Sequence, residues 1–195
     1  MDFSIFKKCF FDDGNANIIG IIYQILINPK YLTNFSLLLV LFFIIIKNDY
    51  MVNSLMPLIL SNGIFIIFYM VLFFKSNGGF NANDLCNNIL PHQKTKIEEF
   101  FNKNGLLLNI VNIVIHFWLP LLFYLKIIKI KQNSNPFISL LLTITVLLIW
   151  VINVDLGTYK FIGLDEKKFK YCIVYYLIMH IIITKMYFKF RLNTV

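Results

Sequence analysis

The stretch Pro136–Val154 reads PFISLLLTITVLLIWVINV, 19 residues without a charge. A helix needs roughly 20 mostly apolar residues to cross the hydrocarbon of a bilayer, and the turn-like Asn133-Ser134-Asn135 marks where this one begins. The same pattern recurs on both sides. Upstream, Leu106–Ile130 ends in Lys126, Lys129 and Lys131, and Met51–Phe74 stops at Lys75. Downstream, Phe169–Phe190 is bracketed by Lys170 and Lys189. Tyr31–Ile46 is shorter but meets no charge until Lys47. Residues 18–28 are apolar over only part of a span and run into Pro29. Its missing N–H breaks any helix continuing into Tyr31, so this piece reads as short, tilted or re-entrant. The expected fold is all-α: residues 1–195 as a single domain, a polytopic integral membrane bundle of about five or six transmembrane helices.

Composition agrees. Of 195 residues, 58% are hydrophobic and 14% charged, and the mean hydropathy is +0.72. Soluble domains run at roughly 45–50% apolar and about 25% charged. The net charge of +8 would suggest nucleic acid on a soluble chain. Here the lysines flank apolar runs, where they anchor helix ends at headgroups, so membrane lipids rather than nucleic acid are the expected partners. Lysines fall almost evenly on the two sides, which leaves the orientation open. Cys9, Cys86 and Cys172 are scattered, without the spacing of a disulfide framework or zinc site. The three histidines form no metal motif, and no cofactor or metal is expected. Residues 1–17 mix aromatics with Lys7, Lys8, Asp12 and Asp13 and do not read as a cleavable leader.

Polar groups inside apolar spans are the candidates for function. Asn109, Asn112 and His116 are spaced i, i+3, i+7, on one helix face. Pro120 follows on that face and frees a carbonyl there. The stripe should face the bundle interior, either as hydrogen-bonding glue between helices or as a site. Thr33 opens its span in Leu32-Thr33-Asn34-Phe35-Ser36, where a helix cap is the plainer reading. Asn34-Phe35-Ser36 spells a glycosylation sequon but borders an apolar run. Asn153 lies near the rim beside Asp155, His180 reads as a helix-packing or lipid-interface residue, and His92 falls in the long loop of residues 75–105. Thr33 lies 14 residues before Lys47, and His116 lies 13 before Lys129. At about 1.5 Å per residue both sit roughly 20 Å from the same membrane face, so they meet if their helices are neighbours.

Three stretches carry a resemblance: Tyr31-Leu32-Thr33-Asn34-Phe35-Ser36-Leu37-Leu38-Leu39-Val40; Asn112-Ile113-Val114-Ile115-His116-Phe117-Trp118-Leu119-Pro120; and Trp150 through Gly157-Thr158-Tyr159-Lys160-Phe161. In order and spacing, across about Tyr31 to Leu164, the chain resembles the androgen-induced membrane proteins that hydrolyse fatty-acid esters of hydroxy fatty acids, and their prokaryotic relatives. Leu37 and Ile162 stand where the family usually has Asn and Pro. The resemblance implies a membrane hydrolase of lipid esters, with Thr33 as nucleophile and His116 as its acid–base partner. Asn112 or Asn34 is then a candidate oxyanion donor, and Asn34, Asn109, Asn112 and Asn153 are the candidate substrate-binding side chains. The expected location is the cell membrane, with the endoplasmic reticulum as alternative. Two other readings compete. One is a non-catalytic protein of the same fold. The other is a small-solute binding or transport subunit, which the scarcity of alanine (Ala16 and Ala82 only) disfavours.

Overall fold

Each of the five apolar runs from Tyr31 onward folds into a helix, and local chemistry sets the ends. The computed structural model describes residues 11–12, 15–16, 28–79, 81, 98–99, 102–125 and 134–192. Its helices are α1 (Leu32–Ile45), α2 (Asp49–Leu72), α3 (Gly105–Tyr124), α4 (Pro136–Asn153) and α5 (Glu166–Leu192), with a 3-10 turn at Lys160–Ile162 before α5. The only extended pieces among the described residues are Phe11–Asp12 and Asn15–Ala16, a two-residue antiparallel ladder. The partial span at residues 18–27, His92, Cys9, Cys86 and most of the long loop lie outside the described residues.

The chain is a membrane protein: α2, α3, α4 and α5 are each long and apolar enough to cross a bilayer. The helix α1, with 14 residues, is about 21 Å long, against a hydrocarbon thickness of about 30 Å. Helix starts differ from the hydropathy reading where polar caps lie outside the apolar run. Asn48 accepts the Met51 N–H at 3.1 Å, so α2 begins at Asp49. Asp165 accepts the Lys168 N–H at 2.8 Å, which brings the charged Glu166, Lys167 and Lys168 into α5. That bond holds the Asp165 carboxyl below its ordinary pKa. Asn135 caps α4 through Phe137, with Pro136 in the first turn, where a missing N–H removes nothing.

The helix α2 is the hub. It packs against α1, α3, α4 and α5, and half of its most apolar window is buried, against 19–28% for the other spans. Its register against α5 runs in opposite directions along the two helices: Asn53 meets Tyr187, Ser61 meets His180 and Asn62 meets Tyr176, and Tyr69 then meets Ile162 in the turn before α5. Against α1, Asn62 donates to Ser36 at 2.6 Å. Asn62 lies ten residues before Leu72, or about 15 Å along the axis. The start of α1, one turn above Ser36, therefore lies roughly 10 Å inside the end of α2.

The connection from α4 to α5 closes that end. Tyr69 donates to the Ile162 carbonyl at 2.6 Å and the Asn81 N–H donates to Phe161 at 2.7 Å. Tyr69, Phe74, Ile162 and Leu164 bury one another beneath it. Gly163 turns the chain with φ +82°, and a Cβ there would overlap the Asn77 carbonyl. We expect Gly163→Ala to lower the unfolding midpoint in detergent, the left-handed backbone alone costing about 1–2 kcal/mol. An unchanged melting curve would show that the loop is not held this way.

Candidate functional site

The start of α1 is built by residues distant in sequence. Pro29 forbids a continuous helix, and Asn28 makes the turn instead: its side chain accepts the Lys30 N–H at 3.1 Å, and its carbonyl accepts from Tyr31 N and the Asn34 side chain. The first helical N–H, on Leu32, donates to the Tyr159 hydroxyl at 2.9 Å. The Trp150 indole donates to the Lys30 carbonyl at 3.1 Å. Tyr31 packs edge-on against Tyr159 and Phe161. An unpaired backbone group in a membrane interior is costly, and these side chains supply the missing partners.

Thr33 follows Leu32, and its Oγ1 lies 2.9 Å from His116 Nε2. His116 Nδ1 lies 2.8 Å from the carbonyl of Asn112, one turn back on α3. A carbonyl only accepts, so the Nδ1 bond fixes the proton on Nδ1 and leaves the Nε2 lone pair facing the Thr33 hydroxyl. Thr33 therefore donates to a neutral imidazole already held in the tautomer a general base requires. His116 is 7% exposed. Gly63 of α2 makes room for the neighbouring ring: a Cβ there would stand 2.5 Å from Phe117 Cε2.

The sequence candidates separate on this geometry. Thr33, His116 and Asn112 come together, but Asn112 contributes its main-chain carbonyl. Asn34 is buried with its amide on Asn28. Asn109 has a buried Oδ1 without a hydrogen-bond partner. Asn153 is exposed and bonds back to the Ile149 carbonyl at 2.7 Å, away from Thr33. Asp155 is exposed and accepts the Gly157 N–H. The three stretches that carry the resemblance converge at the start of α1.

Thr33 also lines a cavity of about 170 Å³ bounded by α1, α2, α4, α5 and the α4–α5 connection. Ile66, Leu147, Val151, Ile173 and Leu177 give its apolar walls.

His180 has partners that its own helix does not reveal. It is 0% exposed; Nδ1 lies 2.8 Å from Ser61 Oγ on α2, and Nε2 lies 2.6 Å from Thr143 Oγ1 on α4. Its place is helix packing, not the lipid interface. Beside it, Tyr176 donates to Asn62, whose amide donates to Ser36. Sequence reasoning passed over Ser61, Asn62 and Thr143; the one signal was the polar series Asn53, Ser54, Ser61, Asn62 inside an apolar span.

No family model, no curated protein and no solved structure matches the chain.

We expect His180→Ala to destabilise the bundle by roughly 1–3 kcal/mol, as two interhelical hydrogen bonds worth about 0.6–1.7 kcal/mol each are lost. Unfolding in mixed micelles measures it; a wild-type midpoint would mean that these bonds contribute nothing.

Proposed function

We propose that the protein is a multi-pass hydrolase of long-chain lipid esters in the cell membrane, with Thr33 as nucleophile and His116 as general base and acid. The observation that carries this reading is the 2.9 Å contact from Thr33 Oγ1 to an imidazole whose other nitrogen is anchored on Asn112. A Thr hydroxyl is a weak nucleophile until a base takes its proton, and an oriented neutral imidazole within hydrogen-bond reach meets that need.

In the proposed reaction the Thr33 oxygen bonds to the ester carbonyl carbon as its proton passes to His116 Nε2. The carbon–oxygen bond to the alcohol then breaks, and His116 returns the proton to the departing oxygen. A water, deprotonated by the same imidazole, releases the fatty acid and restores Thr33. The negative oxygen formed on the way needs donors. The Thr33 and Asn34 N–H groups lie in the first turn of α1, ahead of the first bond from Phe35 N to Tyr31 O, where no helical carbonyl precedes them. These backbone groups replace the Asn side chains as donors in this reading.

A second reading has a specific observation behind it. Ser61–His180–Thr143 is also a hydroxyl–imidazole cluster, and it joins three helices as glue. Thr33 and His116 would do the same for α1 and α3. The two clusters differ in access: His180 is sealed, whereas Thr33 lines a cavity.

With a long-chain lipid ester in a reconstituted membrane, Thr33→Ala and His116→Ala are each expected to lower hydrolysis by about 10²–10⁴-fold, and Thr33→Ser to retain much of it. A fluorophosphonate should label Thr33 in the wild type and fail to label it in His116→Ala. Absence of both hydrolysis and labelling in the folded wild type would leave only the glue. Gly63→Ala, by pushing Phe117, should weaken labelling about tenfold or more, since displacement near 1 Å can cost about 10²-fold. Phe117→Leu should restore it; equal labelling of all three proteins would show that Gly63 has no positioning role.

A further inference from the structure

The wall of the cavity is unusual in where its polar atoms go. Tyr159 Oη receives the Leu32 N–H, Trp150 Nε1 donates to Lys30, and Tyr69 Oη donates to Ile162. Tyr176 Oη donates to Asn62 Oδ1, and the Asn62 amide donates to Ser36. Each of these side chains lines the cavity, yet its polar tip is committed to another protein group. Among the described residues, what remains on the wall is aromatic and aliphatic surface, with Thr33, whose hydroxyl is bonded to His116, and the Cys172 thiol. A ligand carrying hydroxyls, amides or charges along its length would leave them unpaired here.

Depth and access narrow the ligand further. The lining runs from Ile144 to Val151 on α4 and from Phe169 to Leu177 on α5, or roughly 10–12 Å along the helix axes. This extent lies within the apolar spans. Tyr159, Ile162 and Leu164 roof the cavity at the α4–α5 connection. Its side reaches the surface at Leu148, which is 56% exposed while lining the space. The helices α4 and α5 pack against one another less extensively than either packs against α2. The opening therefore faces lipid tails.

The two partners of Thr33 lie on different helices. His116 comes from α3, and among the described residues none of α3 lines the cavity. In the proposed reaction the leaving alcohol must approach His116 to receive its proton.

We propose that the cavity is a site for one apolar acyl chain, entered sideways from the bilayer between α4 and α5. The chain transferred to Thr33 lies in it, while the alcohol portion of the ester lies outside it on the α3 side. This assignment rests on the Thr33–His116 reading for its orientation. Selectivity then falls on the acyl chain: a long apolar acyl group is accepted, and one with a polar substituent near the carbonyl is rejected.

Cys172 lines the cavity as a half-buried free thiol and serves as a native reporter. The full chain would be purified in a sterol-based detergent, which carries no alkyl chain to compete. Alkylation of Cys172 by N-ethylmaleimide would be followed by peptide mass spectrometry. Palmitic acid is expected to slow it at least fivefold in the wild type and in Thr33→Ala, and butyric acid to leave it unchanged. A cysteine introduced as Val174→Cys, on the exposed side of α5, should react at one rate throughout. Equal Cys172 rates with palmitic and butyric acids would overturn the acyl site, even in a protein that hydrolyses esters at Thr33. Protection without hydrolysis or Thr33 labelling would keep the acyl site and overturn the hydrolase. For orientation, a hexadecyl fluorophosphonate bonded to Thr33 should protect Cys172. A reactive Cys172 in that adduct would place the transferred chain elsewhere.

Discussion

The structure depends on the polar stripe of α2. Asn53, Ser54, Ser61 and Asn62 lie in the helix that every other described span packs against, and all four are buried. Lipid tails are as apolar as leucine, so apolar burial gives little drive for helix association. Polar atoms in hydrocarbon, by contrast, must find partners. The Asn53, Ser61 and Asn62 side chains find theirs on other helices: Tyr187, His180 and Tyr176 on α5 and Ser36 on α1. Ser54 turns its hydroxyl back to Tyr50 of α2, and its carbonyl accepts from Ser139 on α4. These contacts fix which helices are neighbours and in what register. Many leucines and isoleucines of the outer helices, such as Ile110, Leu141, Ile152 and Ile178, face outward and specify neither.

The same constraint explains the α4–α5 connection. The helix α1 starts below the end of α2, so its first backbone groups open inside the bundle. Its N-cap, Tyr31, supplies no side-chain hydrogen bond. Tyr159 and Trp150 supply them from more than a hundred residues away, and Gly163 and Tyr69 hold that connection on α2. The connection thus serves as the distant cap of a short helix. Its aromatic faces, with their polar tips turned away, then become the roof of an apolar cavity.

The spans were legible because length and hydropathy are local quantities. The ends of α2 and α5 were less so, since Asn48 and Asp165 draw charged residues into helices that an apolar window stops short of. The approach of Thr33 to His116 was legible as a depth match from two lysines. Nothing in the sequence distinguished Asn34, which braces the turn before α1, from Asn109, whose oxygen is left without a partner, or Asn153, which bonds back to its own helix at the surface. One-dimensional spacing marks a face of a helix; it does not say what stands opposite. His180 shows this most clearly. Tyr176 and Thr184 stand one turn away on its own helix, yet both of its nitrogens are bonded from two other helices.

The two histidine clusters also show why the break at Pro29 matters for chemistry. Inside a helix a hydroxyl has a competing acceptor in the carbonyl four residues back. Ser36, Ser54, Ser61, Thr143, Thr145 and Thr184 all make that bond. Ser61 and Thr143 thus hold carbonyl contacts even as they touch His180. Thr33 is the second residue of its helix, and the position four back is Pro29, outside it. Its hydroxyl has no helical carbonyl to satisfy, and its proton is directed at His116 Nε2. A continuous helix through residue 29 would have given Thr33 the same backbone acceptor as its counterparts. The proline break that shortens α1 is therefore also what frees the hydroxyl for the imidazole.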